Sequence, residues 1–442
     1  MSTYQPGSQI PITSRAHLSD AFDPQAPEEG RVGVEWELLP MDDGGGMVSY
    51  FGPAGVEAAL SRFSPPHGLL LEDGHIAALK LQGGGMVGLE PGGQVELASP
   101  PFGRLARIRT FLENNLRGME SAARPCGFRL KAWGVAPQNG EEDLPDVPKA
   151  RYGILRDHLL RAGRLGRRMM KLTASTQVCL DYRDEAEMGE MVAAVLPALP
   201  YLAASLANGP IYRGRKTPWS SQRPRIWRGT DARRCGLPAF LFKPRPTYAD
   251  AARWSLGRPL LFLVREGRFV PGDGRSFDDW LRAPGAFGPM TMDDWTLHLS
   301  TLFPEVRLRG YLEVRTLDSV PLPLVMAAAA LLKGLLSEEG RRIMAKAPLP
   351  LPHRATLGRA LLEAGRHGPR WNPEAGPSVK EAMAALFRAG SAGLRGLGED
   401  PGEVEPLRRL VRDGLCPADF WKQVSAGDWV GPDPLGMGES PF

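Results

Sequence analysis

The chain has 442 residues, of which 43% are hydrophobic and 24% charged, values that are ordinary for a globular protein. Lys and Arg number 54 against 50 Asp and Glu, which leaves a formal net charge of +4 that no basic block dominates. This charge distribution is not typical of a protein that binds nucleic acid, nor of one held at a membrane surface by a basic segment. The opening residues MSTYQPGSQIP lack the basic and apolar regions of a secretory signal, so we expect a cytoplasmic protein.

Helices and strands are predicted from hydrophobic period and turn signals. Strands occupy the first two thirds and helices the last third, which predicts an α+β fold. We divide the chain into a lead-in (1–30), one catalytic domain with a helical C-terminal portion (31–430) and a tail (431–442). In chain order the predicted elements are a helix over Arg15–Phe22, a strand over 33–38, a helix over Leu105–Ala123, strands over 128–135 and 171–182, a helix over 187–206, a strand over 305–315 and helices within 320–332, 349–377 and 379–423.

Several patterns exclude other classes of site. The four cysteines, Cys126, Cys179, Cys235 and Cys416, form no C-x-x-C pair, so a disulfide framework or zinc site is not expected. No G-x-x-x-x-G-K-[ST] motif is present, and the glycines at 83–85 are predicted to form plain turns. The apolar run at 320–332 is too short to span a bilayer. Residues 136–149 and 212–234 are predicted to be long loops, which tend to be functional inside a compact domain.

Acidic side chains recur among apolar neighbours in three stretches of the chain. Glu35 and Glu37 lie in the first, Glu90 and Glu96 in the second, and Glu313 in the third. Carboxylates are rarely buried without partners, because desolvating a charge is costly. Hard divalent cations with oxygen ligands are the natural partners, and such cations usually carry the phosphates of a nucleotide. The sequence therefore predicts an enzyme that uses Mg²⁺ and ATP.

A period of two places polar side chains together on one face of the predicted strands. In 305–315 the odd positions are mostly charged, and in 171–182 one face carries Lys171, Gln177 and Cys179. Any one such face could simply meet solvent. Three together favour a concave sheet that lines a wet cavity. Glu90 and Glu96 would share a strand face, with a bulge predicted at residues 91–93.

Seven blocks of the sequence form a pattern that is spread over residues 30–345. They are GVEWE (33–37), LEPGGQVEL (89–97), PKARY (148–152), MMKLTASTQV (169–178), ANGP (207–210), RPRIW (223–227) and FPEVRLRGYLEVR (303–315). In residues and in order, these blocks resemble the plant-type glutamate–cysteine ligases. That family has bacterial relatives, including the ligase that opens ergothioneine synthesis.

The resemblance implies a fold and a reaction. The fold is glutamine-synthetase-like, with an antiparallel sheet curved around the active site and helices outside. In the reaction, ATP phosphorylates the γ-carboxylate of L-glutamate, and the amine of L-cysteine then displaces phosphate. The five carboxylates at 35, 37, 90, 96 and 313 would hold two or more Mg²⁺ ions that bridge the ATP phosphates. The partners would be small molecules only, and the protein a monomer or homodimer.

The resemblance also implies roles for single residues. Arg315 would offset charge on the transferring phosphoryl group, beside Glu313. Arg151 and Arg223 would grip glutamate, since a guanidinium binds a carboxylate with two prongs. Trp227 would form an apolar wall beside the side chain of the glutamate substrate, and Gln177 would be a polar residue of the pocket.

Other interpretations of these residues stay open from the sequence. Arg151 could be a surface helix residue, Trp227 a core residue and Glu37 the partner of an arginine. Cys179 stands where the family pattern leads us to expect asparagine. The acceptor could be an amine other than cysteine, or the chain could be a sensor that binds ATP or glutamate without catalysis. The product could serve glutathione or ergothioneine synthesis.

Overall fold

The fold is built on one nine-stranded antiparallel sheet. The computed structural model describes residues 10–24, 30–65, 67–347, 349 and 353–421. The predicted tail at 431–442 lies outside the described residues. The strands are β1 Val32–Met41, β2 Gly68–Glu72, β3 His75–Lys80, β4 Met86–Leu89, β5 Val95–Ala98, β6 Arg129–Lys131, β7 Ser175–Leu180, β8 Ile211–Tyr212, β9 Arg215–Lys216, β10 Cys235–Gly236, β11 Phe262–Arg265, β12 Arg268–Pro271, β13 Phe303–Pro304, β14 Val306–Leu308 and β15 Leu312–Asp318.

Helices surround the sheet. A short 3₁₀ helix, Arg15–Phe22, precedes it, as predicted. The α-helices are α1 Val56–Phe63, α2 Leu105–Ala123, α3 Ala150–Ala162, α4 Gly166–Leu172, α5 Glu185–Val195, α6 Leu199–Ser205, α7 Arg223–Arg228, α8 Tyr248–Leu256, α9 Phe277–Arg282, α10 Met292–Leu299, α11 Leu322–Leu336, α12 Glu338–Met344, α13 Arg354–His367, α14 Val379–Gly396, α15 Glu405–Arg412 and α16 Pro417–Trp421. The mixture of an antiparallel sheet with a helical last third confirms the predicted α+β class.

Strand β1 runs through the middle of the sheet. The strand order is β14-β15-β7-β1-β5-β4-β3-β2, and β6 pairs with the far end of β1. Trp36 lies opposite Thr176 of β7 on one side and Leu97 of β5 on the other. Because side chains alternate along each strand, this register places Glu35 and Glu37 on the face opposite the Trp36 side chain.

The two faces of the sheet contact different layers. The apolar face, with Val34, Trp36 and Val178, belongs to a large core cluster that includes the side chains of α11 and α14. The polar face is covered by a second cluster from α3, α4 and α7. Helices α11 and α14 approach closely, since a Cβ added at Gly334 would lie 2.0 Å from the carbonyl oxygen of Gly390. This contact leaves no room for a side chain at Gly334.

Two predicted long elements are interrupted by proline and glycine. The helix predicted over 187–206 is two helices, because Pro197 and Pro200 lie at the 3₁₀ turn between α5 and α6. The strand predicted over 305–315 is a hairpin of β14 and β15, because Gly310 turns the chain with a φ of 74°. The predicted alternation therefore applies to two strands rather than one.

Three further boundaries differ from prediction. Residues 166–172 are helical, so the strand predicted from 171 begins at Ser175, and Lys171 pairs with Asp146 instead of facing the cavity with Gln177. Of the residues predicted to form a strand over 128–135, only Arg129–Lys131, which is β6, form one. The bulge predicted at 91–93 is a hairpin turn between β4 and β5, closed by the Glu90 N–H donating to the Gln94 carbonyl at 2.9 Å.

One run of described residues, Glu185–Ser205, is apolar enough to cross a membrane by length and composition, with a mean hydropathy of 1.3. It is weak evidence for a membrane segment. In this fold 83% of that window is buried inside the protein, as in a core helix.

Candidate active site

Polar side chains from six neighbouring strands meet on one face of the sheet. Period-2 alternation places them there, while their apolar neighbours enter the large core. Helices α3, α4 and α7 close the space above them. The cavity that results is lined by Glu35 and Glu37 of β1, Glu90 after β4, Glu96 of β5, Gln177 of β7, Arg307 of β14, Arg315 of β15 and, from the covering helices, Leu155, Met169, Met170 and Trp227, together with Pro91, Gln94 and Thr173.

Carboxylates repel one another in this cavity. Glu37 lies directly opposite Glu96 across β1 and β5, an arrangement of like charges that is destabilising. Burial, then repulsion from Glu96 and Glu313, raises the pKa of Glu35 to about 7. Burial, then repulsion from Glu90 and Glu96, raises the pKa of Glu37 to about 8. A cation between these groups would favour their ionised forms.

Glu37 and Arg315 are linked through the amide of Gln177. Glu37 accepts hydrogen bonds from the Ser175 N–H at 2.6 Å and from the Gln177 side-chain nitrogen at 3.0 Å. The amide oxygen of Gln177 accepts a bond from the Arg315 guanidinium. The Glu37 carboxylate is therefore held by an amide and a backbone N–H, rather than paired with an arginine.

Glu313 is fully buried between two arginines. Arg307 donates to both of its oxygens, at 2.7 and 2.9 Å, and Arg315 donates to one of them. Burial alone would raise the pKa of Glu313, but the two guanidinium groups outweigh it and lower that pKa to about 2. Glu313 does not line the cavity directly. Its carboxylate fixes the two arginines that do, and its role as a metal ligand stays a prediction.

Arg223 and Trp227 present buried donors that lack a partner. Both lie on α7, where the Arg223 guanidinium is 5.4 Å from the centre of the Trp227 ring. Arg223 Nη1 donates to the Arg315 carbonyl at 2.9 Å. Within the part of the chain that the structure describes, Arg223 Nε and Trp227 Nε1 have no hydrogen-bond partner. Trp227 lines the cavity, and Arg223 lies beside Trp227 without being part of the lining. Leaving buried donors unpaired is costly, so this end of the cavity is suited to an acceptor such as a carboxylate.

Arg151 is buried beside the cavity, which excludes the surface interpretation. It lies in the first turn of α3 with 5% of its surface exposed, and its guanidinium is 5.2 Å from the ring centre of Tyr152. It lines a small neighbouring cavity with Leu155, a residue that also lines the main one. The structure thus places Arg151 next to the main cavity, and neither Arg151 nor Arg223 is part of the main lining.

Cys179 lies two residues beyond Gln177 on β7. Its Cα is in register with Gly33 on one side and with Glu313 on the other. Burial, and then the negative charge of Glu313, raises the pKa of the Cys179 thiol well above its usual range. The thiol is therefore neutral.

The cavity offers oxygen ligands of the kind that Mg²⁺ prefers, but the described residues do not form a complete coordination shell. Among the described residues, no three His, Cys, Asp or Glu side chains are placed to hold a metal ion as they stand. One reason is that Glu37 and Glu313 already accept hydrogen bonds within the protein. Mg²⁺ commonly takes only one or two carboxylates and completes its shell with water and substrate phosphates. The all-oxygen donors and the raised pKa values of Glu35 and Glu37 fit that mode.

Arg307 and Gln94 are among the cavity residues that were not selected from the sequence as site residues. Arg307 lies opposite Glu313 across the β14–β15 hairpin, and Gly310 at the turn was the available signal. The Gln94 side-chain nitrogen donates to the carbonyls of Met170 and Thr173, at 3.1 and 3.0 Å. Gln94 therefore connects the Glu90 turn to the junction of α4 and β7. These segments are far apart in the chain, so no local sequence pattern predicts the contact.

Comparisons with known proteins show which family the chain resembles. The model of "Glutamate-cysteine ligase family 2" matches residues 31–431. Chloroplastic glutamate–cysteine ligase from Solanum lycopersicum is 35% identical over 385 residues, covering 81% of this chain and 69% of the relative. The Nicotiana tabacum protein of the same name is 30% identical over 372 residues, with the same coverage of 81% and 69%.

A solved structure has the same fold. Glutamate–cysteine ligase from Francisella tularensis, in complex with AMP, superposes with a TM-score of 0.52 at 14% identity. The match covers 92% of this chain and 88% of that one. The glutamine-synthetase-like fold implied by the resemblance is thereby confirmed.

Proposed function

The chain belongs to glutamate–cysteine ligase family 2, and from that premise we propose that it joins the γ-carboxylate of L-glutamate to the amine of L-cysteine at the expense of ATP. The products are γ-glutamylcysteine, ADP and phosphate. The observation that carries the proposal is that mutually repelling carboxylates line one cavity together with Trp227. Trp227 and the neighbouring Arg223, which is not itself part of the lining, each have a buried donor without a partner among the described residues. The first set suits a nucleotide with Mg²⁺, and the second suits an amino-acid carboxylate.

The reaction divides into two displacements. A γ-carboxylate oxygen of glutamate attacks the γ-phosphorus of ATP, the bond to the β-phosphate oxygen breaks, and ADP leaves. The amine nitrogen of cysteine then attacks the acyl carbon, loses a proton, and displaces phosphate to leave an amide. Both steps place negative charge on phosphoryl oxygens, which fixed cationic groups stabilise.

Residues of the cavity divide this work. Arg223 holds a carboxylate of glutamate, and the Trp227 ring excludes water beside the glutamate chain. Arg307 and Arg315, oriented by Glu313, offset charge on the phosphoryl group in transfer. Mg²⁺ would be held by the ATP phosphates and by Glu35, Glu37, Glu90 and Glu96, with Glu313 as a further predicted ligand. The bound ion would neutralise part of the negative charge of the phosphates.

The choice of acceptor can be tested with a panel of amines. We expect ADP release that depends on both glutamate and cysteine, with γ-glutamylcysteine identified by its mass. Product with another amine but none with cysteine would assign a different acceptor, and Cys179, where the family pattern favours asparagine, is the first residue to exchange in that case. ATP or glutamate binding with no product from any amine would identify a sensor. The product is the precursor for glutathione or ergothioneine synthesis.

Isotope transfer tests the acyl phosphate. Glutamate labelled with ¹⁸O in its γ-carboxylate should pass one labelled oxygen to inorganic phosphate, because that oxygen leaves with the phosphoryl group. The nucleotide product should be ADP, measured by chromatography, with the label located by mass spectrometry. Label in AMP, with pyrophosphate as the second product, would replace this mechanism by adenylation and would leave the substrates unchanged.

A further inference from the structure

A second cavity lies between helices α14 and α15, in the outer helical layer. Its volume is about 460 Å³, which is within the size of small-molecule sites. Its lining shares no residue with the catalytic cavity. The two helices run in opposite directions, since Lys380 at the start of α14 donates to the carbonyl of Arg412 at the end of α15, at 3.3 Å. We call this cavity the α14–α15 groove.

The α14–α15 groove is lined by five cationic side chains and by no carboxylate. From α14 come Lys380, Arg388 and Arg395, and from α15 come Arg408 and Arg412. Arg408 and Arg412 are four residues apart, a spacing at which like charges oppose helix stability and which an anion would relieve. The field of five cations around one concave volume favours ligands with several negative charges.

Compensation from within the protein is weak at this groove. Arg408 pairs with Glu405 at 3.3 Å and Arg412 with Asp413 at 3.0 Å. The first pair is half-buried and the second exposed, and ion pairs in contact with solvent contribute little. For the side chains of Arg388 and Arg395, no salt bridge or hydrogen bond is formed with any described residue. Both are exposed and therefore available to a ligand.

Two buried residues at the base of the groove hold the Arg408 side chain in place. Ser391 and Phe387 are 6% and 5% exposed. Arg408 donates to the Ser391 hydroxyl at 3.1 Å and lies 5.2 Å from the centre of the Phe387 ring. A guanidinium held over an aromatic ring keeps free N–H groups in its plane for a phosphate or a carboxylate.

We propose that the α14–α15 groove is a binding site for a small polyvalent anion, one that carries two or more phosphate or carboxylate groups. Arg388 and Arg395 contact its charged groups from α14, and Arg408 contacts them from α15. The proposal does not depend on the ligase reaction, because no catalytic residue lines this groove.

Titration calorimetry with tripolyphosphate, and separately with citrate, tests the site. Divalent metal is removed beforehand with a chelating resin, and the buffer contains no Mg²⁺ and no polyvalent anion, so that the carboxylates of the catalytic cavity repel both probes and nothing else competes for the groove. We expect one-to-one binding by the native protein. The double substitution Arg388→Gln with Arg395→Gln should weaken binding at least tenfold, with an unchanged melting temperature because both side chains are exposed.

The matched control is Arg409→Gln. Arg409 is also exposed on α15 and is adjacent to Arg408, but it does not line the groove. Its loss should change affinity less than twofold. Equal weakening in both variants, or no binding of either probe by the native protein, would overturn the proposal. The tighter of the two probes identifies whether phosphate or carboxylate groups are preferred.

Discussion

Glu313→Gln is expected to lower kcat by roughly 10²- to 10³-fold, the range seen when one preorganised charge-stabilising contact is lost. Glutamine removes the negative charge that holds both Arg307 and Arg315. Two guanidinium groups would then remain buried without their counter-ion, and each would leave its position beside the phosphoryl group. The same change should destabilise the fold by about 3–5 kcal/mol, as when one partner of a buried ion pair is removed.

Stopped assays of ADP release at saturating glutamate, cysteine and ATP measure the kcat of this variant. The control is Glu399→Gln, because Glu399 forms another buried pair, at 2.6 Å with Lys333, in the helical layer. That control should lose stability in a thermal melt and keep its kcat. A native kcat for Glu313→Gln at saturating Mg²⁺ would contradict a role for Glu313 in catalysis.

Two roles for Glu313 can be separated by a Mg²⁺ titration and a second substitution. If Glu313 binds the metal, excess Mg²⁺ should restore part of the lost rate. If it acts through the arginines, Mg²⁺ should restore nothing. In that case Arg307→Gln added to Glu313→Gln should recover stability, since a buried unpaired charge is removed, without recovering activity.

Local patterns in the sequence predicted the residues of the site better than their pairing. The alternation in β1 and β7 correctly placed Glu35, Glu37 and Gln177 toward one cavity, because a strand has only two faces. The helix Leu105–Ala123 was predicted with its observed bounds, since its apolar period runs unbroken. Where one local rule governs a segment, the sequence is sufficient.

The missed features all depend on a turn or on a distant contact. A single glycine, Gly310, converts a predicted strand into a hairpin and so places Arg307 against Glu313. A turn at Glu90 replaces a predicted bulge, and the Gln94 side chain anchors it to residues some eighty positions later. Lys171 continues an apparent strand pattern but ends a helix, because its partner, Asp146, is supplied by a separate loop. Tertiary partners of this kind override local period.

Arg223→Lys is expected to raise the KM for glutamate by roughly 10- to 100-fold, the equivalent of one charge-assisted hydrogen bond. Lysine keeps the positive charge but cannot donate to the Arg315 carbonyl and to a substrate carboxylate in one plane, as a guanidinium can. The KM for ATP should change less than threefold, since the carboxylates suited to Mg²⁺–ATP lie on the sheet and its β4–β5 turn, whereas Arg223 lies on α7.

Initial rates with glutamate and ATP varied in turn measure both constants for Arg223→Lys. Arg225→Lys, an exposed substitution on the same helix, should leave both at native values. Equal increases in the two constants would place Arg223 at the nucleotide or in general folding. An increase confined to glutamate would instead locate the amino acid beside Trp227, where two buried donors lack a partner among the described residues. Since a neutral acceptor would not satisfy a guanidinium as well, that result would also indicate that a carboxylate of glutamate occupies this end of the cavity.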